Sequence, residues 1–163
     1  MLLTLSNIFF IVLKLLINTA EADLHDDALF IILYHMNKGL ELIQTEDQIY
    51  EVARLNLLAG ETSIKNASFY SAAEYLTLGV KILPDTSWEE EYALTLNLHD
   101  AAQESLFVSG DFHTLRQLSD TVIAKARSFD DKLNSCEYNK IVTYILTLFR
   151  LIEHRSYLII TTP

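Results

Sequence analysis

Ser109-Gly110-Asp111-Phe112, taken with Gly60, Ala72, Gly79 and Pro84 upstream, decides the architecture of this chain. The four upstream residues fall at successive offsets of 12, 7 and 5. Small residues so spaced let two antiparallel helices approach closely, and a Gly-Asp-aromatic step hands one helix to the next in a helical-repeat pair. The pattern predicts an all-α chain in which antiparallel helix pairs form a short repeat array. Arrays of this kind present surfaces and rarely carry chemistry, so no reaction is expected from these residues.

Composition points the same way. At 163 residues the chain is long enough to bury a sizeable core as one domain or part of one. Half of its residues are hydrophobic, yet it holds only four Gly and two Pro, which favours long helices with short joints over many strands. A net charge of −10 opposes a nucleic-acid partner, because a phosphate backbone is bound by clustered Lys and Arg. The single cysteine, Cys136, excludes an internal disulfide and a multi-thiolate metal site. It reads as a small apolar residue, buried or half-buried.

Outward from the centre, the helices follow from spacing and caps. Leu29, Ile32, Leu33, Met36, Leu40 and Ile43 give a helix from Leu24 to Ile43. Thr45-Glu46-Asp47-Gln48 is a capping box that starts a second helix, carrying Ile49, Val52, Ala53, Leu55, Leu57 and Leu58, with Gly60 inside it or near its end. A third runs from about Ala67 to Leu83, where Pro84 stops it. Ser87 and Glu90 form a second capping box, opening a helix to about Val108 with Tyr92, Leu96, His99, Ala102 and Leu106 as its packing stripe. Gly110 caps that helix, Phe112 to Ala126 makes the next, and roughly Asp130 to Leu151 makes the last. The organisation expected is an apolar N-terminal helix over residues 1–23, a helical-repeat module over 24–151, and a tail over 152–163 with the look of a truncated end.

The N-terminus admits two readings. Met1 to Ile17 is almost continuously apolar and Ala20-Glu21-Ala22 resembles a cleavage site, as in a signal peptide. Against this, no charged segment precedes the apolar run, and Thr4, Asn7, Lys14, Asn18 and Glu21 project to one stripe of a helix. The run is also shorter than the roughly 20 residues that span a bilayer. A packed helix is the favoured reading and a membrane role is disfavoured. Asn66-Ala67-Ser68 is formally a glycosylation triplet, relevant only to a secreted chain.

The search for chemistry is mostly negative. No phosphate-binding Gly-rich loop, nucleophile elbow or kinase catalytic loop is present. One order is worth weighing: His25-Asp26 and His99-Asp100 are His-Asp doublets, and His35, His99, Asp100 and Asp130 run in the order His…His-Asp…Asp. All-helical metal phosphohydrolases use that order to gather a cation that activates water. With five His and many Asp such an order arises readily, and helix-face histidines with solvated aspartates explain it equally. Trp88, beside Glu89, Glu90 and Glu91, is either a partner-binding anchor or, more commonly, a first-turn Trp folded over the preceding helix end. Phe69, Tyr70, Tyr75, Tyr92, Phe107 and Phe112 either line a groove or pack between helices. No catalytic, cofactor-binding or metal-ligating residue is assigned, and no cofactor is implied.

From Leu13 to about Lys132 a run of short words gives the chain a family likeness. These are Leu13-Lys14-Leu15-Leu16-Ile17-Asn18-Thr19, Asn37-Lys38-Gly39 with Glu41-Leu42-Ile43, and Ala53-Arg54-Leu55-Asn56-Leu57-Leu58-Ala59-Gly60. They continue with Ala72-Ala73-Glu74-Tyr75-Leu76, Gly79, Leu83-Pro84, Trp88-Glu89 with Tyr92, and Ser109-Gly110-Asp111-Phe112. In this order they resemble the tetratricopeptide-like (TPR-like) helical region of very large signalling proteins. There a serine/threonine kinase domain is followed by an AAA-type predicted ATPase, this region, a GAF domain and often a histidine kinase. The resemblance covers about three quarters of the chain and transfers no catalytic residue, since the kinase and ATPase motifs of those proteins lie elsewhere. It implies a cytoplasmic, non-catalytic scaffold or regulatory segment making interdomain or protein–protein contacts. It also favours the packed-helix reading around Ala20-Glu21-Ala22. The first and last dozen residues depart from the pattern, as in a truncated copy, and an uncapped repeat end predicts self-association. The alternatives from other classes are a His-Asp metal-dependent phosphohydrolase and a secreted or membrane-anchored helical protein.

Overall fold

The computed structural model describes residues 26–42 and 45–161. All its elements are helices, and no strand occurs among the described residues. In chain order they are α1 (Asp26–Lys38), a 3-10 turn (Leu40–Leu42), α2 (Glu46–Lys65), α3 (Phe69–Ile82), α4 (Ser87–Glu90), α5 (Tyr92–Ser109), α6 (Phe112–Lys125), a second 3-10 turn (Asp130–Lys132) and α7 (Leu133–Thr161). The N-terminal segment expected as a packed helix lies outside the described residues.

Caps and close contacts set these elements. The Thr45 hydroxyl accepts the backbone N–H of Gln48 at 3.3 Å and opens α2. At the other end of α2, Ala67 N–H donates to Ile64 O and Ser68 N–H to Ser63 O, both at 2.8 Å, so Ala67 takes the left-handed turn position with φ 55°. Gly110 plays that part after α5 with φ 81°: Asp111 N–H reaches Leu106 O at 3.0 Å, and Gly110 N–H reaches Phe107 O at 3.3 Å. The Asp111 carboxylate then accepts Thr114 N–H at 3.1 Å and starts α6. One tetrapeptide thus closes one helix and opens the next.

The small residues do what their spacing predicts. A Cβ at Gly60 would collide with the side chain of Leu76, and one at Gly79 would come within 2.7 Å of Leu98 and 3.2 Å of Asn56. Position 60 meets 76 while 56 meets 79, which makes α2 and α3 antiparallel. Phe107 against Phe112, and Gln103 against Ser119, do the same for α5 and α6. α1, α2 and α3 pack in succession, α3 then packs on α5 rather than on the one-turn α4, and α5, α6 and α7 again pack in succession; α2 also touches α5, which in turn touches α7. The main core gathers Tyr50, Ala53, Ala72, Leu76, Leu94, Leu98, Ala102, Leu106, Leu115 and Val142 around α5.

Four features depart from the sequence expectations. The helix expected from Ser87 to Val108 breaks at Glu91 (φ −127°, ψ 51°), leaving the one-turn α4. Thr86, which precedes it, makes no side-chain cap bond. The Ser87–Glu90 capping box is absent because Glu90 accepts the Tyr50 hydroxyl at 2.9 Å instead, while buried Ser87 takes a bond at its carbonyl from Thr95 Oγ1 at 3.1 Å. Trp88 does not fold over the end of α3; it packs with Val122, Ala126, Tyr92 and Leu96, toward α6. Finally, α7 runs on through Thr161, so no helix end falls at the boundary drawn between residues 151 and 152.

Candidate interaction groove

Because α2, α5 and α7 touch one another in turn, a groove forms along that side. Its volume is about 560 Å³, and Glu61, Ile64 and Lys65 of α2, Asn97, Asp100, Ala101 and Glu104 of α5, and Asn134 and Tyr138 of α7 line it. Three carboxylates face one lysine, so the groove is electronegative. Burial, with the charge of Asp131 added, pushes the Asp100 carboxyl up to about 6. Asp100 Oδ1 is buried and has no hydrogen-bond partner among the described residues. The Tyr138 phenol feels the same field: burial first, then the charges of Glu104, Asp100 and Glu137, hold it above its usual value. An acid so placed, desolvated and with one oxygen unsatisfied, gains most from an incoming cationic donor.

The other residues singled out from sequence are dispersed. Exposed His35 lies on α1, its ring edge-on to Tyr34. Buried His99 hydrogen-bonds through Nδ1 to Thr95 O at 2.7 Å, and its ring centre sits 4.9 Å from that of Trp88. Burial lowers the pKa of His99. Asp130 is exposed in the second 3-10 turn, and His25 lies outside the described residues. The order His35, His99, Asp100, Asp130 is therefore not gathered into one place. No group of three or more His, Cys, Asp or Glu able to hold a metal occurs among the described residues. The aromatic residues do not share one groove either: Phe107 contacts Phe112 and Tyr138, Tyr75 contacts Phe30, and Tyr92 contacts Trp88, while Tyr70 is exposed. Cys136 is half-buried.

Sequence reasoning missed the groove and the clamp beside it. Tyr50 and Arg54 of α2 hold the α4–α5 corner, the latter through a 2.7 Å ion pair to Glu91. From the loop after α6, Arg127 donates to the carbonyls of Trp88 and Glu89 at 3.1 and 3.2 Å and lies 4.2 Å over the Tyr92 ring. Tyr92 completes the corner by donating to Asp131 at 2.7 Å. None of these partners is closer than 35 residues in sequence, so no local pattern could have found them.

Against known proteins the chain gives a partial match. It is 23% identical over 129 residues to the hybrid signal transduction histidine kinase G of Dictyostelium discoideum, a stretch covering 74% of this chain but only 4% of that protein. No protein-family model matches the chain, and no solved structure does. No helix among the described residues is long and apolar enough to cross a membrane. The comparison links this all-α chain, weakly and over part of its length, to a multidomain signalling protein.

Proposed function

We propose that this chain is a non-catalytic, protein-binding segment of an intracellular signalling protein associated with kinase and ATPase domains. Its helices act as a TPR-like array in which α2 with α3, and α5 with α6, are successive pairs and α7 begins the next. The contacts of α2 with α5 and of α5 with α7 support this, since first helices of successive repeats line one side of such arrays. The groove on that side accepts a basic stretch of a partner polypeptide, whose cation pairs with Asp100. The observation that carries this reading is the unsatisfied, half-desolvated Asp100 carboxyl among Glu61, Glu104 and Tyr138.

Fluorescence titration with a short arginine-rich peptide, and with its glutamate-rich counterpart as control, tests it. The basic peptide should bind with an affinity that falls as salt rises, and the double change Asp100→Asn, Glu104→Gln should weaken it roughly tenfold or more. Equal binding of both peptides, or binding indifferent to the double change, sinks the reading. The non-catalytic part is tested separately. Metal-dependent hydrolysis of a phosphomonoester that disappears on His99→Ala would overturn it. The present engagement of His99 with Thr95 and Trp88 argues against that outcome. Mass spectrometry of the expressed chain tests the intracellular assignment: cleavage after Ala22 would contradict it.

A further inference from the structure

The way the chain is held changes abruptly at Asp131. Up to that residue the turn after α6 is tied down. Arg127 reaches the carbonyls of Trp88 and Glu89, and its N–H donates to the Tyr92 hydroxyl at 2.9 Å. The Asp131 carboxylate accepts from Tyr92, and its own N–H donates to Ser128 Oγ at 3.1 Å. Over residues 133–151, a single side-chain hydrogen bond between described residues joins α7 to the other helices, from Asn139 Nδ2 to Asp120 Oδ1 at 2.8 Å. The apolar hold is short as well. Val142 is the only fully buried apolar residue over that stretch, whereas α5 buries Leu94, Leu98, Ala102 and Leu106.

The polar atoms of the seam do not help. Three buried side-chain atoms lack a hydrogen-bond partner among the described residues, and all three belong to α7 or to the groove it walls. Ser135 Oγ and Asn139 Oδ1 lie one turn apart on α7, and Asp100 Oδ1 is on α5. Docking takes each out of solvent with no bond to a residue in return, which costs stability. Around Tyr138, moreover, Asp100 and Glu104 of α5 meet Glu137 of α7, so like charges face one another.

We propose that α7 is a movable wall of the groove: it swings away from α5 and α6 about Lys132–Leu133 while α1 to α6 stay folded, and a cation in the groove holds it in place. The pivot falls where the second 3-10 turn passes into α7, a junction of the kind at which helices hinge. Segments with few buried apolar contacts open at a lower free energy than the whole molecule. Since α7 supplies Asn134 and Tyr138, the groove is whole only while α7 is docked, and an occupant shifts the balance to that form. This second half rests on the groove reading above; the swing does not.

Hydrogen exchange of the full chain near neutral pH, followed by mass spectrometry, tests both halves. Relative to intrinsic rates, amides of residues 134–145 should exchange roughly a hundredfold faster than those of 95–106, as one set with a shared urea dependence weaker than that of global unfolding. Ser135→Ala with Asn139→Leu puts apolar groups in place of the two unpartnered atoms and should slow exchange of 134–145 about tenfold. A saturating arginine-rich peptide should slow the same amides by about tenfold or more. Exchange of 134–145 in step with 95–106, exchange not slowed by the double change, or a peptide that binds without slowing it overturns the proposal. A peptide that does not bind at all removes the groove reading and the second half with it, while the unliganded exchange alone judges the swing.

Discussion

Two positions decide how closely α2 and α3 meet, and they pull in opposite directions. Gly60 lies mid-helix, where alanine would ordinarily stabilise by about 1 kcal/mol. Here the added methyl would strike Cγ and both terminal methyls of Leu76, a fully buried side chain with nowhere to swing. Overpacking of that kind costs about 1–3 kcal/mol, so Gly60→Ala should destabilise by about 1–2 kcal/mol net, with a lower urea midpoint at unchanged slope. A stability gain would mean that Leu76 yields freely. Seven residues on, Ala67 holds the left-handed conformation that glycine adopts without strain, and its amide already makes the turn bond to Ile64 O. Ala67→Gly should therefore raise stability by about 0.5–1 kcal/mol, visible as a higher thermal midpoint. The first position was legible in the sequence because small residues at helix spacing announce a close approach. The second was not: Asn66-Ala67-Ser68 contains no glycine to mark the turn, and only the closing hydrogen bonds reveal it.

Hydrophobic spacing describes α5 incompletely, and the reason is physical. A single apolar stripe through Tyr92, Leu96, His99, Ala102 and Leu106 describes a helix buried on one side. In the fold α5 is wrapped by α2, α3, α6 and α7: Thr95 and Gln103 are buried within that stripe, and Leu94, Leu98 and Ser105 are buried on the side next to it. Hydrophobic periodicity cannot register the burial of Thr95, Gln103 and Ser105, because such residues look like solvated ones. They are satisfied instead by hydrogen bonds. Gln103 donates to His99 O at 3.1 Å and accepts from Ser119 Oγ at 2.7 Å, while Thr95 donates to Ser87 O and Glu91 O. The capping-box motif at Ser87 failed for a related reason, since Tyr50, 40 residues away, claims Glu90. By contrast Ser109-Gly110-Asp111-Phe112 was readable because everything it needs is local. Ser119→Ala removes the hydroxyl that donates to the buried Gln103 carbonyl and should cost about 1–2 kcal/mol, whereas Gln103→Leu with Ser119→Ala together should cost less than the separate effects added. Additive losses in that double-mutant cycle would show that the two side chains do not act as a pair.

For the molecule as a whole, the groove ties folding, binding and pH together through Asp100. Its carboxyl titrates near 6 in the folded chain against 3.8 ordinarily, so the native state holds this proton more tightly than the unfolded one. The stability linked to it is complete below pH 3.8 and is lost as pH rises through about 6. Buried His99 runs the other way: its pKa is lowered from 6.5, so its contribution is present above 6.5 and lost as pH falls. The two partly cancel in mildly acidic solution and hide one another in the wild type. Asp100→Asn removes the first and unmasks the second. The variant should be more stable than the wild type by about 1–2 kcal/mol above pH 6, with the gap closing as pH approaches 3.8, as urea midpoints measured across that range would record. A gap independent of pH would mean that the carboxyl is not desolvated in the fold. The same linkage governs the partner. A guanidinium lodged against Asp100 restores what burial removed and draws the carboxyl back toward its ordinary range, so binding of the arginine-rich peptide between 3.8 and 6 must release a proton. Calorimetric titration in buffers of different ionisation enthalpy should find that release in the wild type and lose it in Asp100→Asn. Identical heats in every buffer would place the cation somewhere other than this groove.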